Sequence, residues 1–478
     1  MWKTYHNVAS ADEAVDLLAQ YGPRARVVAG ATDLLIELER GTRPHLEALV
    51  DVSRVAELVG IEETADSLIL GAMATHNDVV ASDPIRRFAL PLAQASWEVG
   101  APQIRNRATI AGNVITASPA NDTICPLMAL DASVELRSVR GTRTIRLAEF
   151  YTGLRKTVME PDELLVNIRV PKMTASQRGI FLKLGLRRAQ AISVVNCTVL
   201  LTLDAASIVT DAVITLGSVA PVIIRVPDAE LQLIGQPLTP EVMSRAARAA
   251  AAAPSPIDDV RSTAAYRREM IGVLVHRALR MLAQDASVAP PSDAAMLWGA
   301  EPHPVIQRAS TLADGDRIEV EINGVPRRFD RGHDCTLLDF LREAADLPGT
   351  KEGCAEGECG ACTVLLDGAA VMACMVPAVR AHGARVTTVE GLKVGDQLHP
   401  VQAGFIAEGA VQCGYCTPGF LVAGAALLHE HTEPTRAQIE QAFSGNLCRC
   451  TGYYKIISAM QSASQSHGVT EATDVSAD

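Results

Sequence analysis

The 478-residue chain lacks several features that would each define a class of protein. No uninterrupted apolar run reaches the roughly 18 residues that a membrane helix needs. Acidic residues outnumber basic ones by 55 to 43, so the net charge is −12. This disfavours a role in coating nucleic acid, because phosphate binding needs a concentrated positive surface. The opening residues, MWKTYHNVAS, lack the apolar core of a secretory signal. We therefore expect a cytoplasmic protein with no membrane span and no nucleic-acid partner.

Cysteine is scarce in the first 334 residues, which contain only Cys125 and Cys197. The other nine cysteines lie between Cys335 and Cys450. In a reducing compartment such a concentration more often binds metal or performs redox chemistry than forms disulfides. Cys125, Cys197 and Cys335 are isolated in apolar or strand-like contexts, which predicts small core residues rather than ligands.

Length predicts about three domains, at roughly 150 residues each, and the first half alternates between predicted helices and strands. Residues 10–20 place apolar side chains at helical spacing behind a Ser-x-x-Glu capping pattern. Two β-rich runs between 195 and 216 predict an antiparallel sheet. Residues 286–313 are rich in Pro, Ser and Ala without periodicity, which predicts an interdomain linker. The other predicted segments are strands at 26–29 and 68–72, helices at 240–253 and 262–284, a hairpin turning at Asn323-Gly324, and helices near 336–345, 400–409, 418–431 and 435–443.

A first group of four cysteines is spaced as Cys354-x4-Cys359-x2-Cys362-x11-Cys374. This asymmetric spacing matches the plant-type arrangement for a [2Fe–2S] cluster. Glycines between and beside these cysteines permit tight turns and let amide N–H groups point at the sulfurs. A zinc site is the alternative, although four-cysteine zinc sites usually show two Cys-x2-Cys knuckles.

A second group consists of Cys413-x2-Cys416 and, 31 residues later, Cys448-x-Cys450. Taken alone, such pairs more often bind zinc. However, Thr417-Pro418 fits a helix start, whose amide dipoles favour a negatively charged cluster. Small and turn-forming residues on both sides of the Cys448 pair indicate a second tight loop. Beside the first group, this pattern favours a second [2Fe–2S] cluster.

The strings QCGYCTPGF (412–420) and GNLCRCTGY (445–453) are similar to hallmark strings of the molybdenum hydroxylases, the xanthine dehydrogenase and carbon monoxide dehydrogenase family. The resemblance covers all eight cysteine ligands expected in that family. It implies that the plant-type cluster lies nearer the flavin and that the second cluster lies beside the molybdopterin. It also implies that Gln412 lies near the pterin, at the interface with the molybdenum-bearing partner. An ordinary helix-capping role is the alternative for Gln412.

Two strand-to-turn passages of small residues occur in the first half, at 27–34 and 108–113. Such turns let backbone amides approach a pyrophosphate, although glycine-containing turns are common. Together with QIRNRATIAGNVITASPANDTICPLMAL at 103–130, they resemble the flavin-binding domain of the same family, especially its xanthine dehydrogenase form. LGSVAP (216–221) and DVRSTAAYRR (259–268) resemble the C-terminal flavin subdomain.

The resemblance implies FAD contacts along both turns and at two charged residues. In the implied roles, Asp122 hydrogen-bonds the polar chain of FAD and Lys183 lies near its ring. The alternatives are a turn carboxylate for Asp122 and a solvated charge on a strand for Lys183. The implied contacts are Val27, Val28, Ala29, Gly30, Ala31, Thr32, Asp33, Leu34, Thr109, Ile110, Ala111, Gly112, Asn113, Asp122 and Lys183.

Two departures from the animal xanthine dehydrogenases weigh against NAD as the electron acceptor. Val99 stands where those enzymes place an aromatic against the flavin ring. Arg187-Arg188 are followed by Ala189-Gln190-Ala191 rather than by acidic residues. NAD, a quinone, oxygen or another molecule remains open as the acceptor.

The resemblance implies an α+β multidomain protein: a two-part α/β FAD-binding domain of the PCMH type with an α+β C-terminal flavin subdomain, then a β-grasp plant-type ferredoxin domain and a helical [2Fe–2S] bundle. Flavin precedes iron–sulfur, the reverse of the animal enzymes, as if separate bacterial subunits were fused. The predicted domains are 1–172 (FAD-binding), 173–285 (C-terminal flavoprotein), 286–313 (linker), 314–391 (ferredoxin-like), 392–465 (helical [2Fe–2S]) and 466–478 (an irregular polar tail).

No segment resembles the molybdopterin-binding region, so we expect a large partner subunit to carry that cofactor. The leading interpretation is an electron-transfer subunit that passes electrons from the partner through two [2Fe–2S] clusters to FAD and an external acceptor, with no catalytic side chain of its own. The resemblance favours a purine or another N-heteroaromatic as the substrate of the complex and a dimer of heterodimers as the assembly. The alternatives are an autonomous NADH-dependent reductase, a subunit of an aldehyde or carbon monoxide dehydrogenase, and a zinc-bearing scaffold.

Overall fold

The computed structural model describes residues 2–299, 303–393 and 395–474. Its strands are β1 Thr4–Asn7, β2 Ala25–Val28, β3 Ala48–Asp51, β4 Ile61–Glu63, β5 Ser67–Gly71, β6 Ser133–Ser138, β7 Gly141–Arg146, β8 Tyr151–Gly153, β9 Lys156–Thr157, β10 Leu164–Pro171, β11 Gln177–Gly185, β12 Ser193–Leu203, β13 Val209–Gly217, β14 Ile224–Arg225, β15 Ser310–Ala313, β16 Ile318–Ile322, β17 Val325–Phe329, β18 Thr363–Leu366, β19 Ala369–Met372 and β20 Arg385–Thr387.

The helices are α1 Ala11–Tyr21, α2 Leu34–Glu39, α3 His76–Ala81, α4 Asp83–Phe88, α5 Leu90–Trp97, α6 Pro102–Arg105, α7 Ile110–Thr116, α8 Ile124–Ala129, α9 Leu147–Phe150, α10 Pro227–Glu230, α11 Pro240–Ala252, α12 Ala264–Ala283, α13 Leu337–Asp339, α14 Pro400–Ala407, α15 Thr417–Glu430, α16 Arg436–Ala442 and α17 Tyr454–Asp474. Among the described residues, no helix combines the length and the apolar character needed to cross a bilayer. The predicted helices and strands named above are found within a few residues of their expected positions, except that the helix expected near 336–345 is α-helical only over Leu337–Asp339 and continues as a π-helix over Phe340–Ala344.

The chain divides into two compact units that do not follow the chain order. The first unit contains residues 1–56, 100–108 and 293–478, and the second contains 57–99 and 109–292. The amino-terminal part of the flavin half therefore shares a unit with the iron–sulfur half.

The first unit opens with a four-stranded sheet in the order β15-β1-β3-β2. Strands β1, β3 and β2 are parallel, and β15 pairs with β1 in the antiparallel direction. Leu312 of β15 is buried in the core. The predicted linker therefore ends in a strand. A strand of four residues is too short to be recognised from hydrophobic periodicity.

An earlier part of the same predicted linker is also ordered. The backbone N–H groups of Met296 and Leu297 donate to the Glu430 carboxylate of α15 at 2.9 and 2.5 Å. Gln438 of α16 donates to the carbonyl of Asp293 at 2.7 Å. Because Leu297 is also fully buried, this segment is held as part of the iron–sulfur half rather than as a free linker.

A second sheet of the first unit has the order β17-β16-β20-β18-β19, with the mixed parallel and antiparallel pairing of a β-grasp ferredoxin. The hairpin between β16 and β17 turns at Asn323 and Gly324, with φ values of +53° and +76°. This confirms the predicted hairpin, since a two-residue turn of type I′ needs positive φ at both positions. Side chains from both sheets, Tyr5 and Val364 among them, share one apolar core.

Helices α14 to α17 form the carboxyl-terminal bundle of the first unit around a core that includes Phe405, Phe420 and Met460. The rings of Phe420 and Phe443 meet edge to face, with centroids 5.1 Å apart. The long helix α17 runs on to Asp474, into the segment expected to be irregular. That segment contains no proline, so an established helix can propagate through it at low cost.

The second unit contains two antiparallel sheets, β4-β5-β10-β6-β7 and β11-β12-β13-β14. In the latter, Cys197 of β12 lies opposite Leu216 of β13, which confirms the antiparallel sheet predicted for residues 195–216. Helices α11 and α12 cover this sheet, and apolar side chains such as Ile214 and Leu274 form the core between them.

Candidate redox-cofactor sites

The first cysteine group lies in the loop that precedes β18 and in the turn after β19. The sulfurs of Cys362 and Cys374 lie 3.4 Å apart, and the thiols of Cys354 and Cys359 are in hydrogen-bonding contact. Gly357 and Gly360 have φ values of +75° and +69°, which confirms that the loop turns at positions suited to glycine. The four thiols are therefore arranged as two pairs.

Backbone amides surround the sulfur of Cys354. The N–H groups of Glu356, Glu358 and Cys359 donate to it at 3.4, 3.3 and 3.4 Å. The hydrogen bond from the Cys359 thiol and those amides lower the pKa of the Cys354 thiol to about 5. A group so surrounded favours the thiolate, the form that binds metal.

The second cysteine group joins the start of α15 to the loop before α17. The sulfurs of Cys413 and Cys450 lie 3.4 Å apart, and the thiols of Cys416 and Cys448 also share a hydrogen bond. Thr451 donates to the Cys448 sulfur through its N–H at 3.4 Å and its hydroxyl at 3.1 Å. This group again forms two pairs of thiols, and α15 begins at Thr417 as expected.

The pairing distinguishes the two metal chemistries that the spacing leaves open. A zinc ion draws four ligands around one centre, whereas each iron of a [2Fe–2S] cluster takes two thiolates. The paired thiols therefore fit a binuclear cluster in each loop.

Direct hydrogen bonds connect the two loops within the first unit. The N–H of Leu447 donates to the carbonyl of Cys359 at 2.9 Å. The side chain of Asn446 donates to the carbonyl of Gly360 at 3.0 Å and accepts from Gln103 at 2.8 Å. The sequence around Asn446 predicts only a turn. Its hydrogen-bond partners, Gln103, Gly360 and Thr363, are 83 to 343 positions away in the chain and could not be predicted from it.

The turn at 29–32 follows β2 in the first unit and precedes α2. Ala31 has a φ of +66°, an uncommon conformation for a residue with a Cβ. A Cβ on Gly30 would lie 2.2 Å from the carbonyl oxygen of Arg107, so only glycine fits there. The N–H groups of Gly30, Ala31 and Thr32 find no acceptor among the described residues. Successive free amides of this kind form a cradle for an anion.

The second predicted FAD turn, Thr109 to Asn113, starts α7 in the second unit. The Thr109 hydroxyl accepts from the N–H of Gly112 at 2.9 Å and caps the helix. Asn113 is fixed by Thr123 and Asn121, whose side chains donate to its side-chain and backbone oxygens at 2.6 Å each. The turn is thus held rigidly by its own neighbours.

Asp122 and Lys183 are brought together in the second unit. The Lys183 ammonium lies 2.7 Å from the Asp122 carboxylate, and both side chains are almost completely buried. Ser193 and Asn196 of β12 also donate to Asp122, at 2.6 and 3.0 Å. A solvated lysine is therefore the wrong interpretation for Lys183, and no local pattern in the sequence indicates the partners of Asp122 on β12.

The structure also places the three remaining cysteines and Gln412, for which the sequence predicts roles. Cys125 and Cys197 are fully buried, as predicted, and burial raises the pKa of Cys125 to about 11. Cys335 is half-buried against the ferredoxin core. Gln412 is exposed and makes no hydrogen bond to any described residue, so the helix-capping alternative is wrong.

Two loops of paired thiols and a turn of free amides define an iron–sulfur flavoprotein. Four family descriptions match its sequence: "FAD binding domain in molybdopterin dehydrogenase" over residues 2–173, "CO dehydrogenase flavoprotein C-terminal domain" over 181–282, "2Fe-2S iron-sulfur cluster binding domain" over 320–383, and "[2Fe-2S] binding domain" over 388–461.

Individual relatives agree with these matches. The carbon monoxide dehydrogenase medium chain of Hydrogenophaga pseudoflava is 35% identical over 277 residues, which cover 58% of this chain and 95% of the relative. The nicotine 6-hydroxylase small subunit of Paenarthrobacter nicotinovorans is 45% identical over 156 residues, or 32% of this chain and 94% of the relative. A solved structure of the Hydrogenophaga pseudoflava carbon monoxide dehydrogenase that lacks the Mo-pyranopterin moiety of the molybdenum cofactor aligns with a TM-score of 0.57 and 34% identity, over 60% of this chain and 99% of that one.

The chain belongs to the molybdenum hydroxylase family, as a fused FAD and [2Fe–2S] subunit. It is an oxidoreductase of the electron-transfer type, with FAD and two [2Fe–2S] clusters as its cofactors.

Proposed function

We propose that this chain takes electrons from a large molybdopterin-bearing subunit at the surface around Cys413 and Cys450. It releases them at its flavin to an external acceptor. The complex hydroxylates an N-heteroaromatic compound, purines included, and assembles as a dimer of heterodimers in the cytoplasm. The nicotine 6-hydroxylase relationship supports an N-heteroaromatic substrate, and the concentration of nine cysteines between Cys335 and Cys450 suits a reducing compartment.

The observation that carries this proposal is the contrast in exposure between the two thiol loops. Cys413 and Cys450 are exposed, whereas Cys362 and Cys374 are 2% and 1% exposed. Five exposed apolar side chains lie within seven residues of Cys413 or Cys450 along the chain: Ile406, Val411, Tyr415, Leu447 and Tyr454. An exposed apolar patch of this kind marks a protein interface. We call these five residues the Cys413 patch.

Each cofactor is assigned to the residues that fit its chemistry. One [2Fe–2S] cluster is held by Cys354, Cys359, Cys362 and Cys374, and the other by Cys413, Cys416, Cys448 and Cys450. FAD is held by the backbone from Val27 to Leu34 and from Thr109 to Asn113, with Asp122 and Lys183. When bound, the clusters carry single electrons and FAD accepts or releases pairs of them.

The chain's own residues orient these groups and exclude water. The free N–H groups after β2 bind the pyrophosphate. The ion pair with Lys183 and the hydrogen bonds from β12 fix the Asp122 carboxylate in one position. Cys362 and Cys374 of the first loop are buried in the ferredoxin core. The Cys413 patch, in contrast, is left open for the partner.

The experiment is recovery of the tagged full-length chain from its native host, with identification of the co-purifying chains and metal analysis of the eluate. We expect a large chain at one-to-one stoichiometry, together with molybdenum, iron and flavin. A chain that elutes alone, without molybdenum, and oxidises NADH rapidly would contradict the proposal and support the autonomous reductase.

A further inference from the structure

Arg107 contacts the turn that we assign to FAD, within the first unit. Its guanidinium Nη2 donates to the carbonyl oxygen of Ala29 at 3.0 Å. In a trans peptide the C=O and the following N–H point in opposite directions. Because Arg107 holds the Ala29 carbonyl on one side, the N–H of Gly30 points to the other side of the turn. This N–H is one of the three that find no acceptor among the described residues.

The two carboxylates whose charges act on Arg107, Asp51 and Asp367, are occupied by other groups. Asp51 accepts from the Tyr5 hydroxyl at 2.8 Å and from the N–H of Ser53 at 2.7 Å. Asp367 is paired with Arg380 at 3.0 Å. Arg107 therefore has a neutral carbonyl as its acceptor, and its Nε has no partner among the described residues. Arg107 is half-buried, and a partly desolvated cation without a paired anion is costly.

Arg107 nevertheless remains charged at neutral pH. Burial, assisted by the charge of Arg380, lowers the pKa of Arg107 to about 10. The site therefore keeps a positive charge beside a turn of free amides. A doubly charged pyrophosphate at that turn would be the missing counter-charge.

We propose that Arg107 is a positioning residue for FAD: it fixes the Ala29–Gly30 peptide so that its N–H faces the pyrophosphate, and its charge compensates that group. The inference rests on the proposed function, in which residues 27–34 bind FAD. Sequence reasoning assigned Arg107 no role, because the link between it and Ala29 spans 78 positions.

The test uses the full-length chain, from which FAD is removed and then titrated back by its fluorescence quenching. Arg107→Gln keeps a side-chain N–H donor for the Ala29 carbonyl but removes the charge, while Arg107→Lys keeps the charge. We expect Arg107→Gln to weaken FAD binding about 10- to 100-fold, as for a lost charge-assisted hydrogen bond. Arg107→Lys is expected to retain most of the affinity, within about 5-fold of the natural chain.

Arg26→Gln is the matched control, because Arg26 lies on β2, just before the same turn, and like Arg107 it donates to a backbone carbonyl, that of Ala25 at 2.7 Å. We expect it to bind FAD as the natural chain does. A second readout is salt: the FAD dissociation constant of the natural chain should rise with ionic strength more steeply than that of Arg107→Gln.

Iron content serves as the measure of folding in every variant. Natural affinity in folded Arg107→Gln would overturn the inference, as would equal losses in the Gln and Lys variants with unchanged salt dependence. If the natural chain itself binds no FAD, the proposed flavin site fails instead, so the two failures are distinguishable.

Discussion

The two thiol loops of the first unit hold the same number of cysteines in different surroundings. The first is folded against the ferredoxin core, and a Cβ on its Gly357 would meet the side chains of Met375 and Ile104. The second lies between helix ends, where Cys413 and Cys450 are exposed. Ligand spacing therefore specifies the type of cluster, whereas the surrounding fold specifies which partner can reach it.

The largest expected effect comes from removing one ligand of each loop. Cys362→Ser should lose the first cluster and lower the melting temperature by about 5 °C or more, since metal binding contributes folding free energy to a buried site. Cys450→Ser should lose the second cluster with a shift below about 2 °C. Iron analysis and thermal scans measure both. Cys335→Ser, which removes a cysteine that is not a predicted ligand, is the control and should keep all the iron. Equal shifts in melting temperature for Cys362→Ser and Cys450→Ser would contradict the predicted difference between the two loops.

Exposure should also control how fast each loop releases its iron. With an iron chelator added to the natural chain, we expect the second cluster to be lost at least about 10-fold faster than the first, because the chelator can reach an open site without local unfolding. Electron paramagnetic resonance of the dithionite-reduced protein follows the two signals separately. Loss of both signals at one rate would mean that the loops open together.

The contact between the loops can be tested at Gly360. A Cβ there would lie 2.2 Å from the Gly445 carbonyl, and φ is +69°. Gly360→Ala should therefore destabilise the iron–sulfur half by about 2 kcal/mol or more. Gly324→Ala, where φ is +76° but no atom lies within 4 Å, should cost only about 1 kcal/mol of backbone strain. Denaturant unfolding, monitored by cluster absorbance, measures the free energy of unfolding of both variants. Equal losses would show that the close packing at Gly360 does not contribute to stability.

A smaller effect is expected from Thr451→Val, which removes the hydroxyl that donates to the Cys448 sulfur at 3.1 Å. Hydrogen bonds to sulfur stabilise the more negative reduced cluster, so the reduction potential of the second cluster should fall by a few tens of millivolts. The first cluster should keep its potential and serves as the internal control. A redox titration in which the potentials of both clusters change would show that the substitution affects the whole iron–sulfur half of the chain.

Local patterns carried much of the prediction. The Asn323-Gly324 hairpin depends on the conformations of two adjacent residues, and the first ligand set depends on a loop of nine residues and one further cysteine, so both can be read from the sequence. The amphipathic helix α1 also begins at its predicted cap, because Ser10 accepts from the N–H of Glu13.

Long-range pairing could not be predicted in the same way. Strand β15 pairs with β1 across about 300 residues, and Lys183 finds Asp122 across a separation of 61. The hydrophobic pattern around one residue of such a pair does not indicate the position of the other. These contacts depend on chain topology rather than on local propensity. The exposure of the second loop belongs to this class, since the sequence around Cys413 and Cys450 does not say which surface remains uncovered.

We propose that a molybdenum-bearing partner covers the Cys413 patch. The most direct test compares molybdenum recovered per mole of tagged chain for the natural protein, Ile406→Lys in the patch and Val260→Lys on an exposed residue of the second unit. We predict that Ile406→Lys lowers the molybdenum content about 10-fold or more while its iron and flavin stay unchanged, because a buried unpaired charge disfavours the interface, and that Val260→Lys retains it. Equal molybdenum in all three proteins would contradict the claim.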